Sequence, residues 1–243
     1  MTTPQALHRR CTAIWCPLII LFLATASAQD PAKTQDSDQL QLVLKQMDQT
    51  AANFRTAQAT FVWDQYQKVV DEHDLQKGTV FFRRAGNEIQ MAANITDSTS
   101  PKYVLFTDSK VEVYQPRIDQ VTRYNTGKDR ATVEGFLVLG FGGSGRDMLK
   151  SFEVKYMGAE KVEGVDTAKL ELVPKSEKGR NILNRIWLWV DGSRGVSVQQ
   201  QLFEPSGEYR LAKYSDIQLN QKIPDAVFKL KTTSKTKVVS PQG

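Results

Sequence analysis

Cysteine and histidine are nearly missing from this 243-residue chain, with two of each, and His8, Cys11 and Cys16 all fall at its very start. Residues 1–28 read as an export signal. His8, Arg9 and Arg10 make a basic beginning, Leu18-Ile19-Ile20-Leu21-Phe22-Leu23 a short apolar core, and Ala26-Ser27-Ala28 a small-residue cleavage site. The apolar run falls short of the ~20 residues that a spanning helix needs. Cleavage after Ala28 removes both cysteines and leaves His73 as the one histidine. That excludes disulfides, thiol nucleophiles and cysteine or two-histidine metal sites. No metal, cofactor or catalytic residue is expected, since a Ser-His-Asp triad has only His73 to use and Asp71-Glu72-His73-Asp74 reads as a hairpin loop. A lipid anchor is not expected either. Cys16 precedes most of the apolar core and follows bulky Trp15, and no cysteine stands near Ala28. The sequence therefore predicts an unlipidated protein of the periplasm with no stable membrane insertion.

Nucleotide machinery is missing as well. No G-x-x-x-x-G-K-[ST] loop occurs. The run Gly140-Phe141-Gly142-Gly143-Ser144-Gly145 has the form G-x-G-x-x-G, but strand-like Phe152-Glu153-Val154 follows too soon for the long helix that a dinucleotide site requires. Charge of one sign is not concentrated. The formal net charge of +5 becomes +3 without Arg9 and Arg10, and much of the excess lies in the lysine-rich residues 229–237. The pI near 9.1 thus describes a solvated surface, and no nucleic-acid partner is expected.

What is present is a pattern. Residues 29–37 are polar and expected to be disordered. From Asp38 to Ala57, Leu40, Val43, Leu44, Met47, Ala51 and Phe54 recur at helical spacing, predicting an amphipathic helix capped by Asp36 or Ser37. Short runs rich in β-branched and aromatic residues follow, parted by turn residues. They predict strands at 59–70, 78–84, 88–94, 103–107, 110–115 and 120–125, then at 152–158, 167–173, 185–191, 196–203, 209–218 and 227–232. With no helix between consecutive strands, the sheet is antiparallel. Between the two sets, a glycine-broken apolar stretch predicts short helices at 132–139 and 145–151. The fold expected is α+β and mainly β: one strongly curved sheet, an incomplete antiparallel barrel, covered by an α-helical lid. A single domain spans 38–232, with a polar tail at 233–243.

A sheet covered on one face must be apolar there, and if lid and sheet do not meet fully a cavity remains. Phe61, Trp63, Val80, Phe82, Phe136, Leu137, Leu139, Phe141, Trp187 and Trp189 are its candidate lining and lid residues. Composition alone does not distinguish a hollow interior from a filled one. An enzyme acting on lipids or glycans would need paired carboxylates, for which Glu112, Asp119, Glu171 and Asp216 are candidates without a place.

The order of features resembles the LolA-like family of periplasmic lipoprotein carriers. The likeness lies in the signal and first helix, Ala59-Thr60-Phe61 entering the first strand, and Gly78-Thr79-Val80-Phe81-Phe82-Arg83-Arg84. It continues in Tyr103-Val104-Leu105-Phe106-Thr107-Asp108-Ser109-Lys110, Tyr114-Gln115-Pro116 with Gln120-Val121, Leu170-Glu171-Leu172-Val173-Pro174-Lys175 with Trp189-Val190-Asp191, and Ile223-Pro224-Asp225-Ala226-Val227-Phe228. The resemblance implies a soluble monomeric carrier whose cavity shields the acyl chains of lipoproteins. An inner-membrane ABC transporter would load it and an outer-membrane acceptor would unload it. It also implies that Arg84 latches the lid, and Gly140, Gly142 and Gly143, next to an apolar helix, offer the lid a hinge. Departures from the family pattern are Ala85-Gly86 in place of a proline, Trp63 near a usual glutamine, Asn87-Glu88-Ile89 in place of aromatics, and Thr232-Thr233 in place of a terminal proline step. Other amphiphiles, phospholipid or glycolipid, remain open as cargo, and so does a sensor on the same fold.

Overall fold

The computed structural model describes residues 1–2, 31–86, 88–97, 100–107, 110–127, 136 and 139–241. A helix, α1 (Pro31–Asn53), leads into six strands: β1 (Thr56–Gln67), β2 (Glu72–Ala85), β3 (Glu88–Asp97), β4 (Lys102–Thr107), β5 (Lys110–Gln115) and β6 (Gln120–Asn125). Helix α2 (Gly145–Ser151) then opens a second block of β7 (Phe152–Val162), β8 (Val165–Pro174), helix α3 (Glu177–Ile182), β9 (Arg185–Asp191), β10 (Val196–Phe203) and β11 (Tyr209–Leu219), with β12 (Lys237–Val239) last.

Among the described residues these form one 12-stranded sheet in the order β12-β6-β5-β4-β3-β2-β1-β11-β10-β9-β8-β7. Each block is a meander, and the pairing of β1 with β11 joins them. All pairs are antiparallel except β12 with β6. Edge strands β7 and β12 do not meet, so the curved sheet stays open. Register shifts at Gln58/Thr60, Lys77/Gly78, Tyr156/Ala159 and Ser197/Gln199 put bulges on four strands, and bulges bend the strands that carry them.

Alternation assigns the faces. On the concave side one buried cluster gathers Val43, Leu44 and Met47 of α1 with Leu170, Leu172, Ile186, Leu188 and Val190. A second gathers Phe54, Phe61, Val80, Phe82, Met91 and Ile95. The stripe read from the sequence is thus what seats α1 on the C-terminal block. Two close approaches fix that seat. A Cβ on Gly145 would lie 2.6 Å from the Leu44 carbonyl oxygen, and one on Gly195 would lie 2.7 Å from that of Gln46. The β9–β10 turn also takes side chains from α1: Gln46 Nε2 donates to the Ser193 carbonyl at 3.2 Å and Thr50 Oγ1 to that of Arg194 at 2.7 Å.

Asp191 builds this turn. Its carboxylate accepts from Ser193 N (2.8 Å), Ser193 Oγ (2.6 Å), Arg194 N (3.2 Å) and Arg194 Nε (2.6 Å). Burial by itself would raise the Asp191 pKa, but the bonds from Ser193 and Arg194 outweigh it and hold the carboxyl below its usual value. A depressed folded pKa gives stability that is present above the unfolded value, near 3.9, and is lost as pH falls through the folded value. Thermal melts are expected to show this loss below about pH 4. Asp191→Asn should flatten that acid limb and cost about 1–3 kcal/mol at neutral pH; an unchanged acid limb in the variant would contradict the assignment.

Five sequence expectations change. α1 begins at Pro31, not near Asp38: proline suits a first helical position, where its missing N–H is not needed. The stretch from Glu72 to Asp74 is strand, not loop, and the turn lies just before it. His73 pairs with Tyr66 across β1–β2, its Nδ1 lies 2.7 Å from Asp64 Oδ1, and its ring neighbours are Tyr66 and Tyr209. The expected strand at 227–232 is replaced by a 3-10 turn, Asp225–Phe228, set by Pro224, whose carbonyl accepts from Val227 N at 3.0 Å. Ile223 and Phe228 there cover Ala92 and Leu105 on the convex face. Finally, β12 lies inside the expected polar tail, and α3, capped by Ser176, has a signal in Ser176-Glu177 that the strand pattern overshadowed. The expected helix at 132–139 (apart from 136 and 139) and residues 3–28 of the export signal lie outside the described residues.

Candidate functional site

The residues joining the two blocks return to the middle of the concave face. Leu139 enters the C-terminal cluster and Phe141 the N-terminal one. Phe141 is fully buried, stacks on Phe82 at 4.9 Å and meets the Tyr214 ring edge-on at 4.9 Å. Gly140 and Gly142 make this possible through φ of +79° and +82°, a region that costs an L-residue strain. Both are tightly enclosed: an added Cβ would lie 2.3 Å from Ser197 Cβ and 2.6 Å from the Phe54 ring. Gly143 beside them is half-buried.

Hydrogen bonds from three residues hold the segment. Ser197 N donates to the Gly140 carbonyl at 3.0 Å and Gln200 Nε2 to that of Leu139 at 2.5 Å. Arg84, at the end of β2 and exposed to solvent, donates from Nη2 to the Gly142 carbonyl at 3.0 Å and from Nε to that of Phe54 at 3.3 Å. It therefore ties the end of α1 to the segment that follows the expected lid helix.

Above Phe82 the two clusters do not close on each other. A cavity of about 330 Å³ remains, of the size that holds small ligands. Trp63, Val80, Phe82 and Phe136 line it, four of the residues expected from the sequence, together with Met91 and Tyr214, which the sequence reading missed. Phe61 lies beneath, fully buried and stacked on Trp63 at 4.3 Å. Burial holds the Tyr214 hydroxyl protonated well above its ordinary range, the Trp63 indole and Arg210 opposing only in part. The indole Nε1 of Trp63 is itself buried without a hydrogen bond of ordinary geometry. Tyr214 was legible as an inward residue of β11, alternating with Arg210 and Ala212. Its placement opposite Phe61 was not, because the β1–β11 register joins the two ends of the chain.

Trp187 and Trp189 require a correction, because they do not line the cavity. Ile186, Leu188 and Val190 take the concave face of β9, so alternation turns the two indoles outward. Trp187 Nε1 donates to Glu171 at 3.1 Å, Trp189 Nε1 to Glu160, and Lys169 Nζ sits 4.4 and 4.8 Å from their rings. Leu137 lies outside the described residues. Glu112, Asp119, Glu171 and Asp216 stand apart from the cavity, with Glu112 bound to Arg123 at 2.7 Å. A further groove of about 530 Å³ lies on the convex face between Phe81, Leu105 and the segment around Val227. It is a crease outside the sheet and holds none of the expected site residues.

The chain has the architecture of proteins already known. Its fold is that of an uncharacterised conserved protein from Thermus thermophilus, at 9% identity and a TM-score of 0.53 over 84% of this chain and 99% of that one. A LolA superfamily protein from Nitrosomonas europaea matches at 16% identity and TM-score 0.39, covering 79% and 97%. The Mycobacterium tuberculosis lipoprotein LppX matches at 11% and 0.44, covering 77% and 98%. No curated protein matches the sequence. The family described as outer membrane lipoprotein carrier protein LolA matches residues 52–231, from the end of α1 through the segment that crosses the convex face. With that match over an open sheet, its helix and its apolar cavity, the chain belongs to the LolA family.

Proposed function

We propose that this protein carries the acyl chains of lipoproteins across the periplasm, from an inner-membrane ABC transporter that releases them to an acceptor at the outer membrane. In this reading residues 1–28 are removed on export, the mature protein is an unlipidated monomer, and its role is binding and release rather than catalysis. No described helix is long and apolar enough to cross a membrane. The observation that carries the reading is an apolar cavity whose lining residues Phe82 and Tyr214 rest against Phe141, part of a segment held by a few hydrogen bonds and flanked by glycines. Burying an acyl chain is worth about 0.8 kcal/mol per methylene, so a carrier must enclose the chain and still let it go. Lifting the 139–143 segment, with Gly140, Gly142 and Gly143 supplying the backbone freedom, would enlarge the cavity for cargo, and the Arg84 bonds would reform on release.

Native mass spectrometry with lipid extraction, on protein purified from the periplasm of a two-membrane bacterium, tests this. Co-purified acylated lipoprotein is the expected result. A protein that is reproducibly empty and does not enhance bis-ANS fluorescence would overturn it. Phospholipid or glycolipid in place of lipoprotein would change the cargo and retain the cavity.

Arg84→Leu removes both latch bonds. Since the guanidinium is exposed, the pair is worth about 1–2 kcal/mol in all, or a roughly tenfold shift toward the open form. Faster exchange of a bound fluorescent fatty acid, by about that factor, is expected. Exchange at the wild-type rate would remove Arg84 from the latch.

A further inference from the structure

The cavity is apolar at its closed end and polar toward the hairpins β1–β2, β3–β4 and β10–β11. Gln65, Gln76, Lys102 and Arg210, from β1, β2, β4 and β11, all line it there. Gln65 and Arg210 are cross-strand neighbours, and alternation turns both inward along with Trp63. Among the described residues the side chains of Lys102 and Arg210 form no ion pair or hydrogen bond, although both residues are partly buried. Asp74 stands across Gln65 from Arg210, and its carboxylate accepts from Gln76 Nε2 at 2.5 Å. Further in, the buried Trp63 indole N–H approaches the Tyr214 hydroxyl but makes no hydrogen bond of ordinary geometry.

Unpaired donors and cations facing an apolar cavity are costly unless something satisfies them. From this arrangement, and resting only on the reading above of this cavity as an acyl-chain carrier site, we infer that the cavity also accepts an anionic amphiphile. Its acyl chain lies against Phe82, Val80 and Phe136, its charged group meets Arg210 and Lys102, and the carbonyl or carboxylate oxygen next to the chain accepts from Trp63 Nε1. The chemistry required is one negative group next to an acyl chain. A carboxylate and a phosphodiester both supply it.

Isothermal titration calorimetry of the mature protein with three single-chain palmitoyl lipids tests the inference: monopalmitoylglycerol, which is neutral, palmitate, and palmitoyl-lysophosphatidylglycerol. The anionic lipids are expected to bind about tenfold or more tightly than the neutral one, as charge-assisted hydrogen bonds of this kind permit. The double variant R210Q/K102Q should abolish that preference by weakening the anionic lipids far more than the neutral one. W63F should weaken all three by a smaller factor. Palmitate favoured over the lysophospholipid would assign a carboxylate, and the reverse a phosphodiester. Equal affinity for neutral and anionic lipids, or a preference that survives in the double variant with its melting temperature unchanged, overturns the inference and leaves the carrier reading standing. If none of the three lipids binds the wild-type protein the inference falls, and the carrier reading falls with it if bis-ANS fluorescence is not enhanced either.

Discussion

Ala212→Phe is expected to abolish acyl-chain binding in a protein that still folds. Ala212 is buried, faces the cavity, and lies across from Trp63 on β1 and Gln200 on β10. A benzyl group there has empty space to enter. Crowding of Trp63 and Tyr214 should cost the fold about 1–3 kcal/mol, leaving the cooperative thermal transition intact. The ligand loses more. If the ring displaces the length of about four methylenes, the lost burial is about 3 kcal/mol, or more than a hundredfold in affinity. Titration with a fluorescent fatty acid, alongside a thermal melt, reads both quantities. Wild-type affinity in the folded variant would mean that acyl chains bind elsewhere, with the convex groove under Val227 as the next place to examine.

Gly78→Ala should be among the most destabilising alanine substitutions in the chain. Gly78 sits at the β2–β3 bulge, where the register slips between Lys77 and Gly78. A Cβ there would lie 1.9 Å from the Asn94 carbonyl oxygen, 2.9 Å from its carbon and 3.0 Å from Ile95 Cα. These are backbone atoms of the neighbouring strand, so no side-chain rotation relieves the clash, and β2 must part from β3 or the bulge must be lost. The expected loss is about 3 kcal/mol or more in denaturant unfolding. Gly192→Ala is the control, since nothing lies within 4 Å of its added methyl, and it should move stability by no more than about 0.5 kcal/mol. Similar unfolding midpoints for the two variants would show that the bulge yields easily.

Gly78 also shows how a sequence can mark a position without explaining it. It stands out at the head of Gly78-Thr79-Val80-Phe81-Phe82-Arg83-Arg84, but the reason only a glycine fits is the carbonyl oxygen of Asn94, on the next strand. The tryptophans make the opposite case. Trp187 and Trp189 read as cavity residues because they are large, apolar and two apart. Which face a strand buries is set by the helix that packs on it, and α1 packs on Ile186, Leu188 and Val190. Alternation on β9 therefore determined that the two indoles share a face, and the docking of α1 determined that this face is the outer one.

The sequence by itself determined the helix stripe of Leu40, Val43, Leu44 and Met47, most of the strands, the antiparallel order within each block and the glycine-bounded segment ending in Phe141. All of these depend on interactions among near neighbours: side-chain periodicity, turn chemistry and the positive φ that Gly140 and Gly142 permit. The tertiary structure alone decided that β1 pairs with β11, that Tyr214 faces Phe61 and Trp63, and that Arg84 reaches the carbonyls of both Phe54 and Gly142. It alone left Lys102 and Arg210 unpaired at the mouth of the cavity. Those facts follow from the register between strands far apart in the chain. Local preferences leave it free.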